Sequence, residues 1–353
     1  MLAFLTLALA LAISVPPSPG APAAGPEAIV LGIAQDGGVP HAGCHQPVCV
    51  AARSDPTRRR LVAALGLVDP AAGKRFLIDA TPDFPAQMEA LGGLPDAILL
   101  THAHIGHYLG LAQLGREVLD AHGVPVYATP SMARFLRGNR PWSRLVAFGN
   151  IDVREIPGEV ALTPALSVSA IPVPHRDEDS DTVAYLVRGP TRKILWLPDI
   201  DKCEKWDRDL AEFLCDPALT AFVDGTFYDA DEIPGRSIAD IPHPLVPETV
   251  ARVEAMSPPA RGRVVFVHLN HTNRLLRDPD AMAALERRGF AVAREGQRIP
   301  LAGPAGAAGK RRVEDGAERS EGPPSKRIGA GKRRVEDGAE RGEGPPSKRI
   351  VAE

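Results

Sequence analysis

Short apolar runs bounded by Gly, Pro, Asn or Asp recur along most of this chain. Runs of that length predict buried strands rather than helices. They fall at Ile29–Ala34, Arg60–Val68, Arg75–Ala80, Ala97–Leu100, Val124–Ala128, Leu166–Val173, Thr182–Val187, Lys193–Leu197, Thr220–Val223, Arg263–Val267, Phe290–Ala293 and near Ile299. Asp69-Pro70-Ala71-Ala72-Gly73 and Gly189-Pro190 are turn signals that make hairpins of the runs beside them. Helical spacing predicts helices over Tyr108–His122, with Leu109, Ala112, Val118 and Leu119 inward and Gly123 as the stop, and over Pro130–Arg137, Pro247–Met256 and Pro279–Arg288, each begun by proline. Strands interleaved with helices indicate an α/β layered domain.

The strands have a second regularity. Several end on a residue able to bind a metal: His102, His175, Asp199, Asp224 and His268. Thr101-His102-Ala103-His104-Ile105-Gly106-His107 puts three imidazoles into six positions right after an apolar run. Such crowding is hard to explain as packing, and imidazole suits zinc, iron, copper and nickel. Strand ends are also where layered α/β folds build their sites. Asp224, in Val-Asp-Gly-Thr, reads either as a partner that orients a histidine or as a turn residue. Gln35 and Asp36 read as a plain turn or a pocket rim. His45, His122 and His243 read as isolated loop residues. Tyr108 and Trp206 read as core, and Arg176, Asp177 and Glu178 as a solvated loop that can face substrate.

The ends of the chain read differently. Leu2–Val15 is nearly continuous apolar sequence, followed by prolines and Ala21-Pro22-Ala23-Ala24, which fits an export signal over residues 1–23 that lacks a basic start. A periplasmic or secreted location follows. The stretch is short for a membrane span, and no other segment is a candidate. Residues 302–353 carry a tandem repeat: Gly309–Ile328 recurs as Gly331–Ile350 with Ser320 replaced by Gly342. Charged, Pro-Pro-containing and poor in apolar residues, it predicts a disordered tail. The fold is left with residues 28–301. A formal charge of −3 over 353 residues argues against a nucleic-acid partner; the expected partner is a small-molecule substrate. Cys203 and Cys215 flank a helical-looking stretch, which would hold them ~18 Å apart, too far to bridge. Cys44 and Cys49 can pair or share a metal.

The strand followed by Thr-His-Ala-His-x-x-His, then a lone histidine, an aspartate after an apolar strand and a strand-terminal histidine, resembles the metallo-β-lactamase fold family. LGIAQDGGVPHAGC and VHLNHTN resemble its branch holding coenzyme-PQQ synthesis protein B and the cyclic-phosphate diesterases of phosphonate metabolism. The resemblance implies an α/β (α+β) four-layer αββα sandwich. It implies a first metal site of His102, His104 and His175 bridged by Asp199, and a second of His107, His268 and Asp199. The family motif has Asp where this chain has Gly106, so the resemblance implies one zinc ion and a weak or empty second site. It also implies a structural metal on Cys44, Cys49 and His271, with His45 or His41 as a fourth ligand in place of a cysteine replaced by Gln46; a disulfide or free thiols are the alternatives.

The expected activity is hydrolysis of an ester, lactone, amide or phosphodiester by a metal-activated water, with Asp199 orienting and His107 or His268 as acid or base. The alternatives are a mononuclear iron oxygenase, a role in PQQ biosynthesis and a non-catalytic metal-binding protein; iron or manganese could replace zinc in such a ligand set. The oligomeric state and substrate are not legible.

Overall fold

A computed structural model describes residues 25–156, 158–232 and 241–303. The expected export signal and nearly all of the repeated tail lie outside the described residues. No helix among the described residues is long and apolar enough to cross a membrane.

The first sheet takes β1 (Glu27–Gly32), β2 (Ala64–Asp69), β3 (Lys74–Ile78), β4 (Ala97–Leu99), β5 (Val124–Ala128), β6 (Ile151–Glu155) and, returning from the far end of the domain, β14 (Arg298–Pro300). The second takes β7 (Glu159–Thr163), β8 (Leu166–Val173), β9 (Thr182–Arg188), β10 (Lys193–Leu197), β11 (Leu219–Asp224), β12 (Val264–Val267) and β13 (Ala291–Val292). Their orders are β14-β1-β2-β3-β4-β5-β6 and β13-β12-β11-β10-β9-β8-β7.

The sheets pack through Val30, Leu65, Ile78, Leu99, Tyr185, Trp196, Phe222 and Val267. Phe84, Met132, Leu136 and Trp142 cover the outer face of the first sheet. Trp206, Phe213, Val246, Val250 and Leu285 cover the second. Strands apolar on both faces are what a sheet sandwiched between a helical layer and another sheet requires. The fold is therefore the αββα sandwich.

Strand direction gathers the site. Both hairpins form: β2 runs antiparallel to β3, and β9 to β10. β1 is antiparallel to β2, so β1, β3 and β4 point the same way. β9 is antiparallel to both β8 and β10, while β11 and β12 run parallel to β10, so these four strands also share a direction. The ligand-type residues that follow these strands therefore emerge along a common edge of each sheet.

The helix expected over Tyr108–His122 is not one helix. Ile105–Tyr108 is a single helical turn and Leu109–Leu114 a 3₁₀ segment. The backbone N–H of Gly110 donates to the carbonyl of Ala80 at 2.8 Å, outside any helical ladder. A Cβ at Gly110 would lie 2.2 Å from the Thr81 carbonyl oxygen. The large buried side chains are Tyr108, Leu111 and Leu114, at the three-residue spacing of a 3₁₀ turn. Leu109, Ala112, Val118 and Leu119, expected inward, are exposed. The stretch between Cys203 and Cys215 is likewise only a 3₁₀ turn and the short helix Leu210–Leu214, and both thiols are free.

Candidate metal centre

The Nε2 of His102 lies 2.8 Å from Nδ1 of His104 and 3.4 Å from Oδ2 of Asp199. Oδ1 of Asp199 lies 3.2 Å from Nε2 of His175. One donor atom from each of these residues falls within 4.8 Å of all the others. Donors bound tetrahedrally at ~2.0–2.1 Å stand about 3.3 Å apart, so the cluster matches the spacing a zinc-sized ion needs. These are the residues expected for the first site.

His107 and His268, expected for the second, also meet Asp199, with their Nε2 atoms 3.7 and 3.8 Å from its Oδ2. Asp36, read as a turn or pocket rim, joins the two histidines, and Asp36, His107 and His268 form a second group of donors within 4.8 Å of one another. The turn after β1 delivers it. Leu269 N–H donates to the Ile33 carbonyl at 2.8 Å, Gln35 N–H to the Leu269 carbonyl at 2.9 Å, and Gly38 closes the turn at φ +64. A Cβ on Gly37 would sit 2.4 Å from Nδ1 of His41, so the turn needs glycine there as well.

Three of the rings are aimed from behind. Asp79, at φ +70 after β3, accepts from Nδ1 of His107 at 2.9 Å, and its other oxygen accepts from Thr101 N–H at 2.9 Å. Thr101 Oγ1 lies 3.0 Å from Nδ1 of His102. Thr226 Oγ1 lies 3.0 Å from Nδ1 of His268 and donates to Asp224. In all three rings Nδ1 is occupied and Nε2 faces the centre, which is how an outer partner sets a ligand's tautomer. His268 itself is held at φ +64. Non-glycine residues at positive φ cost about 1–3 kcal/mol and concentrate at functional sites.

His243, set aside in the sequence as a loop residue, is buried. Its Nδ1 is 2.8 Å from Asp224 and 3.2 Å from Asp199. No apolar strand precedes it, so the pattern that exposed the other histidines gives no signal here. Asp224 is thus an orienting residue rather than a simple turn residue: it holds His243, Thr226 and the Ile200 N–H. Tyr108 packs on Phe135 and Trp142, and Trp206 on Phe213, as core. Glu178 lies 3.1 Å from Nε2 of His104 at the exposed rim, with Arg176 beside it.

The electrostatics of His102, His175 and His268 fit ligands rather than a solvated cluster, whereas His107, despite the opposing effect of its burial, is held well above the usual histidine range by Asp79 and Asp36. Burial and neighbouring imidazoles hold His102 far below the usual histidine range, His175 at about 2 and His268 at about 3. Neutral imidazole is the metal-binding form. Asp36 Oδ1, His107 Nε2, both ring nitrogens of His175, Asp199 Oδ1 and His268 Nε2 are buried without a hydrogen-bond partner. Each unpaired buried polar group costs about 1–3 kcal/mol. A convergent set of them is what a cation site requires, so these residues fit a metal.

Cys44, Cys49 and His271 also converge within 4.8 Å, with both thiols free. His41 stacks on His271 at 4.3 Å while His45 is exposed, so His41 is the nearer of the two expected fourth ligands.

A double β-sheet sandwich with histidines and aspartates at one edge defines the metallo-β-lactamase fold. The chain belongs to the β-lactamase superfamily, whose domain matches residues 74–269. Within it the chain sits in the PqqB-like branch. Coenzyme PQQ synthesis protein B of Methylobacterium nodulans is 26% identical over 308 residues, spanning 78% of this chain and all of that protein. The Cupriavidus necator protein of the same name is 27% identical, spanning 77% of this chain and 98% of its own length. Zn(2+)-bound PqqB from Methylobacterium extorquens superposes with a TM-score of 0.64 at 24% identity, covering 77% of this chain and 99% of that one. A diphosphatase of the PhnP family superposes at 0.56 and 24%, covering 78% and 96%.

Proposed function

We propose that this protein is a metal-dependent hydrolase of a small ester, lactone, amide or phosphodiester. The observation that carries this reading is the convergence of His102, His104, His175 and Asp199 on one point, with both ring nitrogens of His175 and Oδ1 of Asp199 buried without a hydrogen-bond partner. Bound there, a divalent ion, zinc first, would supply a Lewis acid and lower the pKa of a water to about 7. His102 and His175 would hold it through neutral nitrogens. Asp199 would anchor it from the floor, where burial lifts its carboxyl to about 7 in the metal-free cluster. His104, at the solvent edge, leaves the approach to substrate on the side of Arg176 and Glu178. Asp224 fixes His243 through Nδ1 beside Asp199, so His243 is placed to hold a proton next to the reacting centre. The zinc-bound neighbour supports zinc as the first choice, and the diphosphatase neighbour supports phosphodiesters and phosphoanhydrides among the substrates to try.

The test is turnover of a substrate panel by protein stripped and reloaded with zinc, manganese or iron. Wild type should hydrolyse at least one class, and His102→Ala should lose at least a hundredfold in kcat/KM. A loaded wild type inert across the panel would overturn the proposal, and oxygen uptake with iron would favour an oxygenase instead. The near-complete coverage of the PQQ synthesis proteins supports a second reading, a step in PQQ synthesis. Restoration of PQQ production in a strain lacking its own synthesis protein B would establish it; failure to restore would remove it.

A further inference from the structure

The motif His102-x-His104-x-Gly106-His107 lacks a donor at position 106, but the space beside that glycine is filled. A Cβ built on Gly106 would lie 2.1 Å from Oδ1 of Asp36 and 2.6 Å from its Cα. The carboxylate of Asp36 thus stands where a side chain from position 106 would start. Its Oδ1 is 3.4 Å from Nε2 of His107 and 3.9 Å from Nε2 of His268. All three atoms are buried and have no hydrogen-bond partner, and both imidazoles are fully buried. Asp199 Oδ2 closes the group on the side facing the first cluster.

We propose that Asp36 replaces the missing aspartate and completes a second divalent-metal site with His107, His268 and Asp199, making this a two-ion centre in which Gly106 exists to admit the Asp36 turn. Two nitrogens and two carboxylate oxygens are a sufficient tetrahedral set for zinc and an acceptable start for manganese. Asp199 is shared, because Oδ1 faces His175 and Oδ2 faces both His107 and His268. The donor has moved in sequence from the loop after β4 to the turn after β1 while keeping nearly the same place in space. The proposal rests on the hydrolase reading only for what the second ion would do; its existence is tested without turnover.

The experiment counts metal in wild type, Asp36→Ala, Asp36→Asn and Gly106→Ala after stripping, reloading with zinc and desalting, and records the spin coupling of the manganese-loaded forms. Wild type should hold one equivalent more than either Asp36 variant and should show a coupled manganese pair that both variants lose. Gly106→Ala, which removes no donor, should lose the same equivalent by displacing Asp36. The cobalt–thiolate absorption of the Cys44–Cys49–His271 cluster, if that cluster loads, should be equal in all forms, so that it does not confuse the count. Asp36→Asn keeps the side-chain volume, and circular dichroism of the metal-free forms should match. Equal metal content and equal coupling in wild type and Asp36→Asn would overturn the proposal. So would a wild type with no coupled pair. An inert but doubly loaded wild type would defeat the hydrolase reading and leave this one standing.

Discussion

At the scale of single residues, the centre depends on which nitrogen of each histidine is free. Asp79 accepts a hydrogen bond from Nδ1–H of His107 and is itself held by Thr101, so the ring keeps its proton on Nδ1 and leaves Nε2 free for a metal. Asp79→Asn keeps the volume but offers an N–H where His107 Nδ1 needs an acceptor. The expected result is a 10–100-fold weaker affinity for the ion on the His107 side, with little change for the ion on His102 and His175. Isothermal titration of metal-free protein checks it; equal affinities at both sites would show that Asp79 serves only the fold. Asp36 could not be found by scanning for histidine-rich motifs. The available clue was Gly106, a non-ligand in a ligand slot, and nothing along the chain said which remote carboxylate fills it.

At the scale of elements, the ligand loop after β4 is fastened by a glycine rather than by a helix. Gly110 lets the backbone press against the carbonyls of Ala80 and Thr81, and this contact ties the loop bearing His104 and His107 to the end of β3. Gly110→Ala should destabilise the protein by about 1–3 kcal/mol, as overpacking against rigid backbone does, and weaken metal binding with it. Urea denaturation of metal-free protein gives the first number, and an unchanged midpoint would contradict the contact. A 3.6-residue period does not describe Tyr108, Leu111 and Leu114, which are buried three residues apart, so the contact leaves no helical signal in the sequence. β6 and β7 are short edge strands with one or two buried residues each, so neither shows the buried apolar run that marks most of the other strands. The segment 228–244 is described only at its two ends; there Glu232 accepts the N–H groups of Tyr228 and Arg274, and burial raises its carboxyl to about 7.

At the scale of the molecule, two sheets are joined by an apolar interior and, at one edge, by side chains that repel or desolvate one another until a cation sits among them. Because the donors come from both sheets, metal binding and sheet packing are coupled. Chelation should therefore lower the melting temperature, and added zinc should restore it, by an amount corresponding to about 2.7 kcal/mol when free metal is a hundred times its Kd. A calorimetric scan with and without chelator reads this directly, and coincident transitions would mean that the edge is rigid without metal. Trp196, fully buried between the sheets, tests the other half of the junction: Trp196→Ala should cost about 3–5 kcal/mol.

The sequence alone determined the α/β class, most strands and the hairpins, and it put His102, His175 and Asp199 at strand ends, because apolar runs and turn signals are local; grouping these three with His104 as one ligand set came from the family resemblance. Only the tertiary structure decided that Asp36 and His243 belong to the centre, that Asp79 and Thr226 aim its rings and that His41 rather than His45 lies against His271. Those facts depend on which loops meet in space, and a contact between remote turns leaves no period, run or spacing along the chain from which it could be read.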